Sequence, residues 1–184
     1  MVIALGSAVS TVVEVMGQMS EPIPRVLVTR PAADLLETLI ARHGPVMFHQ
    51  SGGCCDGSSP MCYPDGEFLV GSRDVLLGVL GVGDGTPVWI SGPQFEAWKH
   101  TQLVIDVVPG RGSGFSLESP EGLRFLSRGR AYADDELAVL GGDPPLTGRD
   151  WDAGARPSSP PAAIVAEAAD ACPTPAGRAA RLPG

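Results

Sequence analysis

A chain of 184 residues is long enough for one domain with a real core and too short for two ordinary domains with long tails. The formal net charge is −8, with only 18% of residues charged. That balance excludes a phosphate-binding surface, since nucleic-acid affinity comes largely from Lys and Arg neutralising phosphates. No direct nucleic-acid partner is expected. Half of the negative excess lies after Ala131, and residues 1–24 carry Glu14 and Glu21 with no Lys or Arg, so the middle of the chain is nearly balanced.

Met1 to Met19 is mildly apolar but lacks a basic start, and Gly6, Glu14 and Gln18 interrupt it. A secretory signal needs a basic n-region and a compact apolar run, and a membrane span needs about 20 apolar residues. The expectation is a cytoplasmic protein with no membrane association, whose four cysteines serve metals, catalysis or packing rather than structural disulfides. Residues 1–24 are read as a disordered or mis-assigned extension, with Met19 as a natural start.

Arg25 to Thr29 reads as a short strand. Thr29 caps a following helix with Pro31 in its first turn and Leu35, Leu36, Leu39 and Ile40 at helical spacing, ended by His43-Gly44-Pro45. Val46 to His49 is a strand entering a glycine-rich loop, and Glu67 to Val70 reads as another. Asp74 to Leu80 and Pro87 to Ile90 flank Gly83-Asp84-Gly85, a hairpin signal. Gly92-Pro93-Gln94 begins a short helix bearing Phe95 and Trp98, one turn apart; Trp98 is expected to pack in the core. Leu103 to Val108, Gly114 to Glu118 and Leu123 to Leu126 are further strands.

Most connections are too short for helical crossovers, so the sheets should be antiparallel or mixed. The predicted class is α+β and strand-rich, with one N-terminal helix and one short helix. From Gly141 onward Pro, Ala, Gly and Ser dominate, and such a segment cannot offset its ordering entropy. Residues 25–140 are therefore the predicted domain, and 141–184 a Pro/Ala-rich disordered tail with a short helix around Ala162 to Ala171 and an exposed thiol at Cys172.

The chemistry concentrates between His49 and Cys62. Three of the four cysteines, Cys54, Cys55 and Cys62, lie there among Gly52, Gly53 and Gly57. Glycines let the backbone turn through conformations closed to other residues, so several thiols can converge. A thiolate cluster suits zinc, iron or an iron–sulfur cluster. Adjacent cysteines point different ways, so Cys55 with Cys62, assisted by His49 or Asp56, is the more comfortable ligand set, and a symmetric dimer would supply the rest. Two other readings stand beside it. One is a disulfide among these thiols that forms on oxidation; the other is packing, since free cysteine is among the most buried residue types.

His100 is a second-tier site candidate. Asp106, set between valines, needs Arg111 or a backbone donor if buried. Gly110-Arg111-Gly112-Ser113-Gly114 lacks the following helix a phosphate loop requires. No nucleophile elbow and no carboxylate pair at useful spacing is visible, so a non-enzymatic protein is expected.

Ser51-Gly52-Gly53-Cys54-Cys55-Asp56-Gly57, the run Thr101 to Val108 and the run Gly112 to Pro120 together resemble the uncharacterised bacterial family catalogued as domain of unknown function 779. A more distant resemblance is to the HesB-like, A-type iron–sulfur carriers. Their Ser-Gly-Cys-Ser-Gly loop is similar to Gly53-Cys54-Cys55-Asp56-Gly57. Their Leu-Asp-Phe-Val strand and Gly-Phe-x-Phe-x-Asn-Pro run resemble Ile105 to Val108 and Gly114 to Pro120. The resemblance implies a HesB-like fold of twisted mixed sheets and puts Cys55 in the place of the carrier's loop cysteine. The carriers' Cys-Gly-Cys pair has no counterpart, since Leu123 to Ser127 occupies its region. Genes of the 779 family often stand beside aldehyde dehydrogenases, which implies such an enzyme as partner. The expected function is thus a thiolate-based metal or iron–sulfur binding accessory protein. A thiol redox protein and an interaction domain with structural cysteines are the alternatives.

Overall fold

The computed structural model describes residues 22–50, 59–111, 114–158, 161–162 and 164–165. Strand β1 (Val26–Thr29) leads directly into helix α1 (Arg30–His43). Thr29 Oγ1 accepts the Ala32 N–H at 3.4 Å, Pro31 occupies the first turn, and Gly44 at φ 81° ends the helix where a side chain would be strained. Ala32, Ala33, Leu36 and Leu39 form its buried stripe.

Strands β2 (Val46–Gln50), β3 (Met61–Pro64), β4 (Val75–Leu80) and β5 (Thr86–Ile90) make one sheet, ordered β3-β2-β5-β4. Helix α2 (Gly92–Trp98) follows. Strands β6 (Thr101–Pro109) and β7 (Leu123–Ala131) pair with β1 and the short β8 (Ile164–Val165) in a second sheet, ordered β7-β6-β1-β8. Both sheets are mixed: β1 runs parallel to β6 and β8, and β2 parallel to β5, while β2–β3, β4–β5 and β6–β7 are antiparallel. The α+β class and the expected hairpin across Gly83–Gly85 are as the sequence predicts.

The main core gathers Val26, Val28, Leu36, Leu39, Phe48, Val88, Ile105 and Phe125 from both sheets and α1, with Trp98 packed against it. Phe48 and Phe125 meet edge to face at 4.9 Å between centroids. A second cluster of Met47, Leu76 and Trp89 lies on the other face of β2, covered by Tyr63, Phe68, Val70, Leu146 and Trp151.

Three expectations are corrected. Glu67–Val70 is not a strand: turns carry it over the second cluster, into which Phe68 and Val70 pack. Gly114–Glu118 is also turns, running to a 3-10 turn at Ser119–Glu121. Two further helices, α3 (Asp134–Gly141) and α4 (Gly148–Asp152), were not foreseen. Residues 141–158, expected to begin a disordered tail, are therefore structured. Thr147 and Asp150 cap α4 reciprocally, Leu76 N–H donates to Leu146 O at 2.9 Å, and Trp151 meets Trp89 edge to face at 5.5 Å. Two tryptophans and a few backbone bonds anchor a composition otherwise poor in large apolar groups. Residues 1–21 and 166–184, with Cys172, lie outside the described residues, as does most of the helix expected around Ala162–Ala171.

Asp106 has the expected backbone donor in Val107, while its side-chain donors are Thr29 and Arg128 and not Arg111. Thr29 Oγ1 donates to Oδ1 at 2.8 Å, Val107 N–H donates to the same oxygen at 2.9 Å, and Arg128 Nε donates to Oδ2 at 2.7 Å. Arg111 is exposed. Burial pushes the Asp106 carboxyl up, but Arg128, Thr29 and Val107 together outweigh it and hold the group below its ordinary value.

Trp151→Ala should cost about 2 kcal/mol in urea unfolding, less than the ~3–5 kcal/mol of a fully buried tryptophan because Trp151 is only partly buried. Asp106→Asn should cost about 1–2 kcal/mol at neutral pH. A depressed carboxyl stabilises fully above its unfolded value and loses that contribution as pH falls through the folded one. The variant's deficit should therefore shrink below about pH 4, as thermal melts across pH would register.

Candidate functional site

The site is built at the C-terminal end of β2, where the chain enters the glycine-rich run. All five side chains of β2 are buried. Strand pleating sends successive residues to opposite faces. Phe48 and its cross-strand partner Cys62 enter the main core, whereas Met47 and His49 belong to the face of Trp89 and Phe68.

His49 is 4% exposed. Its Nε2 lies 2.9 Å from Asp74 Oδ2, an oxygen that also accepts the Gly71 N–H at 2.8 Å. The imidazole tilts over Phe68 at 4.4 Å between centroids, and Tyr63 stacks on the far side of Phe68 at 4.8 Å. The ring is thus held by a carboxylate at one nitrogen and by an aromatic face, an arrangement that selects one orientation.

Gln50, the last residue of β2, is fully buried, and Ser127 Oγ donates to its Oε1 at 2.8 Å. Its carbonyl accepts the Ser91 N–H at 3.2 Å, which brings the start of α2 to the same end of the sheet. In α2, Gln94 Oε1 is a buried acceptor with no hydrogen-bond partner among the described residues.

Cys62 is 0% exposed. Its N–H donates to Ser116 Oγ at 2.8 Å and its carbonyl accepts the Leu117 N–H at 3.0 Å, so residues 116–117 close the outer edge of β3. Ser116 Oγ in turn donates to Glu118 Oε2. Glu118 is 2% exposed while Phe115 is 85% exposed, the reverse of what hydrophobicity predicts for this run. The hydrogen bonds to Cys62 and Ser116 decide which side turns inward. Burial pushes the Glu118 carboxyl up, against the bonds from Ser116 and from the Glu118 and Phe125 amides. Burial, and secondarily the nearby Glu118, push the Cys62 thiol far above its ordinary value. Cys62 is a thiol at every physiological pH.

Of the four residues predicted to bind metal, His49 and Cys62 are among the described residues. Cys54 and Cys55 lie outside the described residues, as does Asp56. Cys62 and His49, on neighbouring strands, face opposite sides of the same sheet. Cys62 as a thiolate ligand is also disfavoured by its burial. Among the described residues, no group of three or more His, Cys, Asp or Glu is placed to hold a metal. His100 is exposed in the turn after α2, where its carbonyl accepts the Tyr132 N–H at 3.1 Å. Asp74, Glu118 and Gln94 were missed. An Asp directly before a predicted strand was the one available signal for Asp74, since His49 needs a partner; nothing local marks Glu118 as buried.

Fold and site together define an α+β domain of two mixed sheets that presents a carboxylate-held histidine at the entrance to a cysteine- and glycine-rich segment. Residues 35–131 match the family described as "Domain of unknown function (DUF779)", and the chain belongs to that family. No curated protein and no solved structure matches it. Among the described residues, no helix is long and apolar enough to cross a membrane.

Glu118→Gln keeps an acceptor for Ser116 and removes the ionisable group. A raised carboxyl contributes stability that is present below the unfolded value and lost as pH rises through the folded one. Between about pH 4.3 and neutrality the wild type should therefore lose stability that E118Q retains, as urea midpoints across pH would show. Cys62→Ser buries a hydroxyl in an apolar core and should cost about 1–3 kcal/mol by the same measurement.

Proposed function

We propose that this chain is a non-enzymatic, thiolate-based metal-binding accessory protein whose ligands are Cys54, Cys55 and His49. The observation that carries the reading is the His49–Asp74 pair at the end of β2. A histidine ligand commonly holds its second nitrogen against a carboxylate, which orients the ring and raises its basicity. The segment carrying Cys54 and Cys55 begins one residue after Gln50 and returns to β3, the antiparallel neighbour of β2. In sequence Cys54 stands four residues after Gln50, and Cys55 six residues before Met61.

Two thiolates and an imidazole suit zinc or iron, and leave a four-coordinate ion one ligand short. A second copy in a symmetric dimer would complete the shell or let two sites share an iron–sulfur cluster. The HesB-like scaffold belongs to the same proposal. It is supported by the matching order of the Gly-Cys loop, the strand at Ile105–Val108 and the Gly-Phe run at Gly114, set in mixed sheets. Cluster hand-over by the carriers' route is not part of it, because β7 holds no cysteine. Service to an aldehyde dehydrogenase, an enzyme class that acts through a catalytic cysteine, is the proposed context.

The burial of Cys62 favours one second reading. With that thiol withdrawn, Cys54 and Cys55 remain as a vicinal pair, and a reversible redox role would rest on these two alone.

Anaerobic purification followed by elemental analysis and visible absorption separates the readings. The metal reading expects zinc or iron at a fixed stoichiometry, lost in Cys55→Ser and His49→Ala and kept in Cys62→Ser. Asp74→Asn should weaken affinity about 10- to 100-fold. Metal-free protein, with Cys54 and Cys55 oxidised reversibly in mass-spectrometric thiol counts, would establish the redox reading instead.

A further inference from the structure

A second site lies away from the His49 end of β2. Between β1, β4 and the polypeptide after α3 is a cavity of about 500 Å³, inside the range of small-molecule pockets, which is ~300–1,000 Å³. None of His49, Cys62 and Asp74 lines it.

The backbone opens it. The segment after α3 touches the edge of β4 at two places. Leu76 N–H donates to Leu146 O at 2.9 Å. Further on, Ala162 N–H donates to Val79 O at 2.6 Å and Gly81 N–H donates to Ala162 O at 3.1 Å. Between these contacts the segment swings outward through Arg156 and Pro157, which line the far wall. On β4 the same stretch holds a bulge, with a register shift between Leu76 and Gly78. Gly78 is at φ 159°, and a Cβ there would stand 3.2 Å from Val26 Cγ1, so β1 and β4 are as close as a glycine permits. Leu77 is left lining the cavity beside Ile23, Val26, Val79 and Leu146.

Two cations, Arg25 and Arg156, line this cavity. Arg25 is half-buried, and its Nη2 donates to Leu140 O at 3.1 Å and to Asp143 O. Asp143 is itself a wall residue, so the guanidinium is at the cavity. Arginine has five N–H donors. Among the described residues, Arg25 Nε and Nη1 donate to nothing and no carboxylate forms an ion pair with Arg25. Burial lowers its affinity for the proton, against the nearby Tyr132 and Asp143, which raise it. Arg156, the other cation on the wall, lies over the Trp151 ring at 3.8 Å and donates to Trp151 O and Ala155 O.

The geometry points to a binding site for a small monocarboxylate, its carboxylate on Arg25 and its aliphatic or aromatic body of roughly six to twelve carbons in the cavity. An alcohol of the same body would find the apolar walls and forgo the charge-assisted bonds. A dicarboxylate would set its second charge against the apolar wall of Leu77, Val79 and Leu146.

Isothermal titration calorimetry of the full chain with decanoate, decanol and sebacate tests this. Decanoate should bind one to one with a Kd below about 100 µM, and decanol and sebacate at least tenfold more weakly. Arg25→Gln should lose at least tenfold for decanoate while leaving decanol unchanged. Since Arg25 also ties Leu140 and Asp143, Val79→Phe is the companion variant: it fills the cavity and should abolish decanoate binding with the cooperative melt retained. No decanoate heat at 1 mM would overturn the site, as would decanol binding equal to decanoate or undiminished binding in folded Val79→Phe.

Discussion

The structure depends on one constraint: β2 is buried on both faces. A five-residue strand whose side chains are all inaccessible has only one workable register. Phe48 and Gln50 must face the second sheet, and Met47 and His49 must face Trp89 and Phe68. A slip of one residue would drive the imidazole into the apolar core and strip it of Asp74, at a cost of several kcal/mol. The position of His49 at the entrance to the cysteine segment follows from packing. So does the removal of Cys62, whose cross-strand pairing with Phe48 commits it to the opposite side.

The same constraint explains the buried polar groups. A sheet enclosed on both faces has no water at its edges and ends, so each polar side chain there needs a protein partner. Ser127 reaches from the second sheet to Gln50, and Ser116 and Leu117 satisfy the open edge of β3. Asp106 performs this task in the second sheet. Through Thr29 it touches the residue that caps α1, and through Arg128 it touches β7. One carboxylate thus links the first strand, the first helix and the terminal hairpin. Elements far apart in the sequence are registered against one another by a group that a purely apolar strand would lack.

Local order was legible where local chemistry decides it. Thr29, Pro31 and Gly44 mark the ends of α1, and the glycines between β4 and β5 mark their hairpin. Legibility failed where the deciding partner is remote in sequence. Glu67–Val70 and Gly114–Glu118 read as strands from their composition, yet neither forms a strand ladder. One instead caps a hydrophobic cluster, and the other seals an edge with side-chain bonds. Residues 141–158 have the composition of a tail and are held by Trp151 and Thr147, two residues that composition averages away. At the site, the loop and His49 could be found from residue type. Asp74, 25 residues on, and Glu118, 56 beyond Cys62, could not, because their roles exist only after both sheets have formed.

The division of the cysteines bears on what the loop can select. Had Cys62 joined Cys54 and Cys55, three thiolates from one chain would have favoured a closed, structural ion, the kind a protein holds for folding alone. With Cys62 inside the core, the proposed shell draws on Cys54, Cys55 and the imidazole of His49. A shell of that size is open by construction, and open shells exchange ligands. The fourth position must come from water, a second copy or a client. An accessory protein needs this property, because an ion completed by its own chain would have no reason to leave it. For the proposed metal site, the burial of Cys62 would both strengthen the core and leave the coordination incomplete, two effects with a single cause in the pairing of β2 with β3.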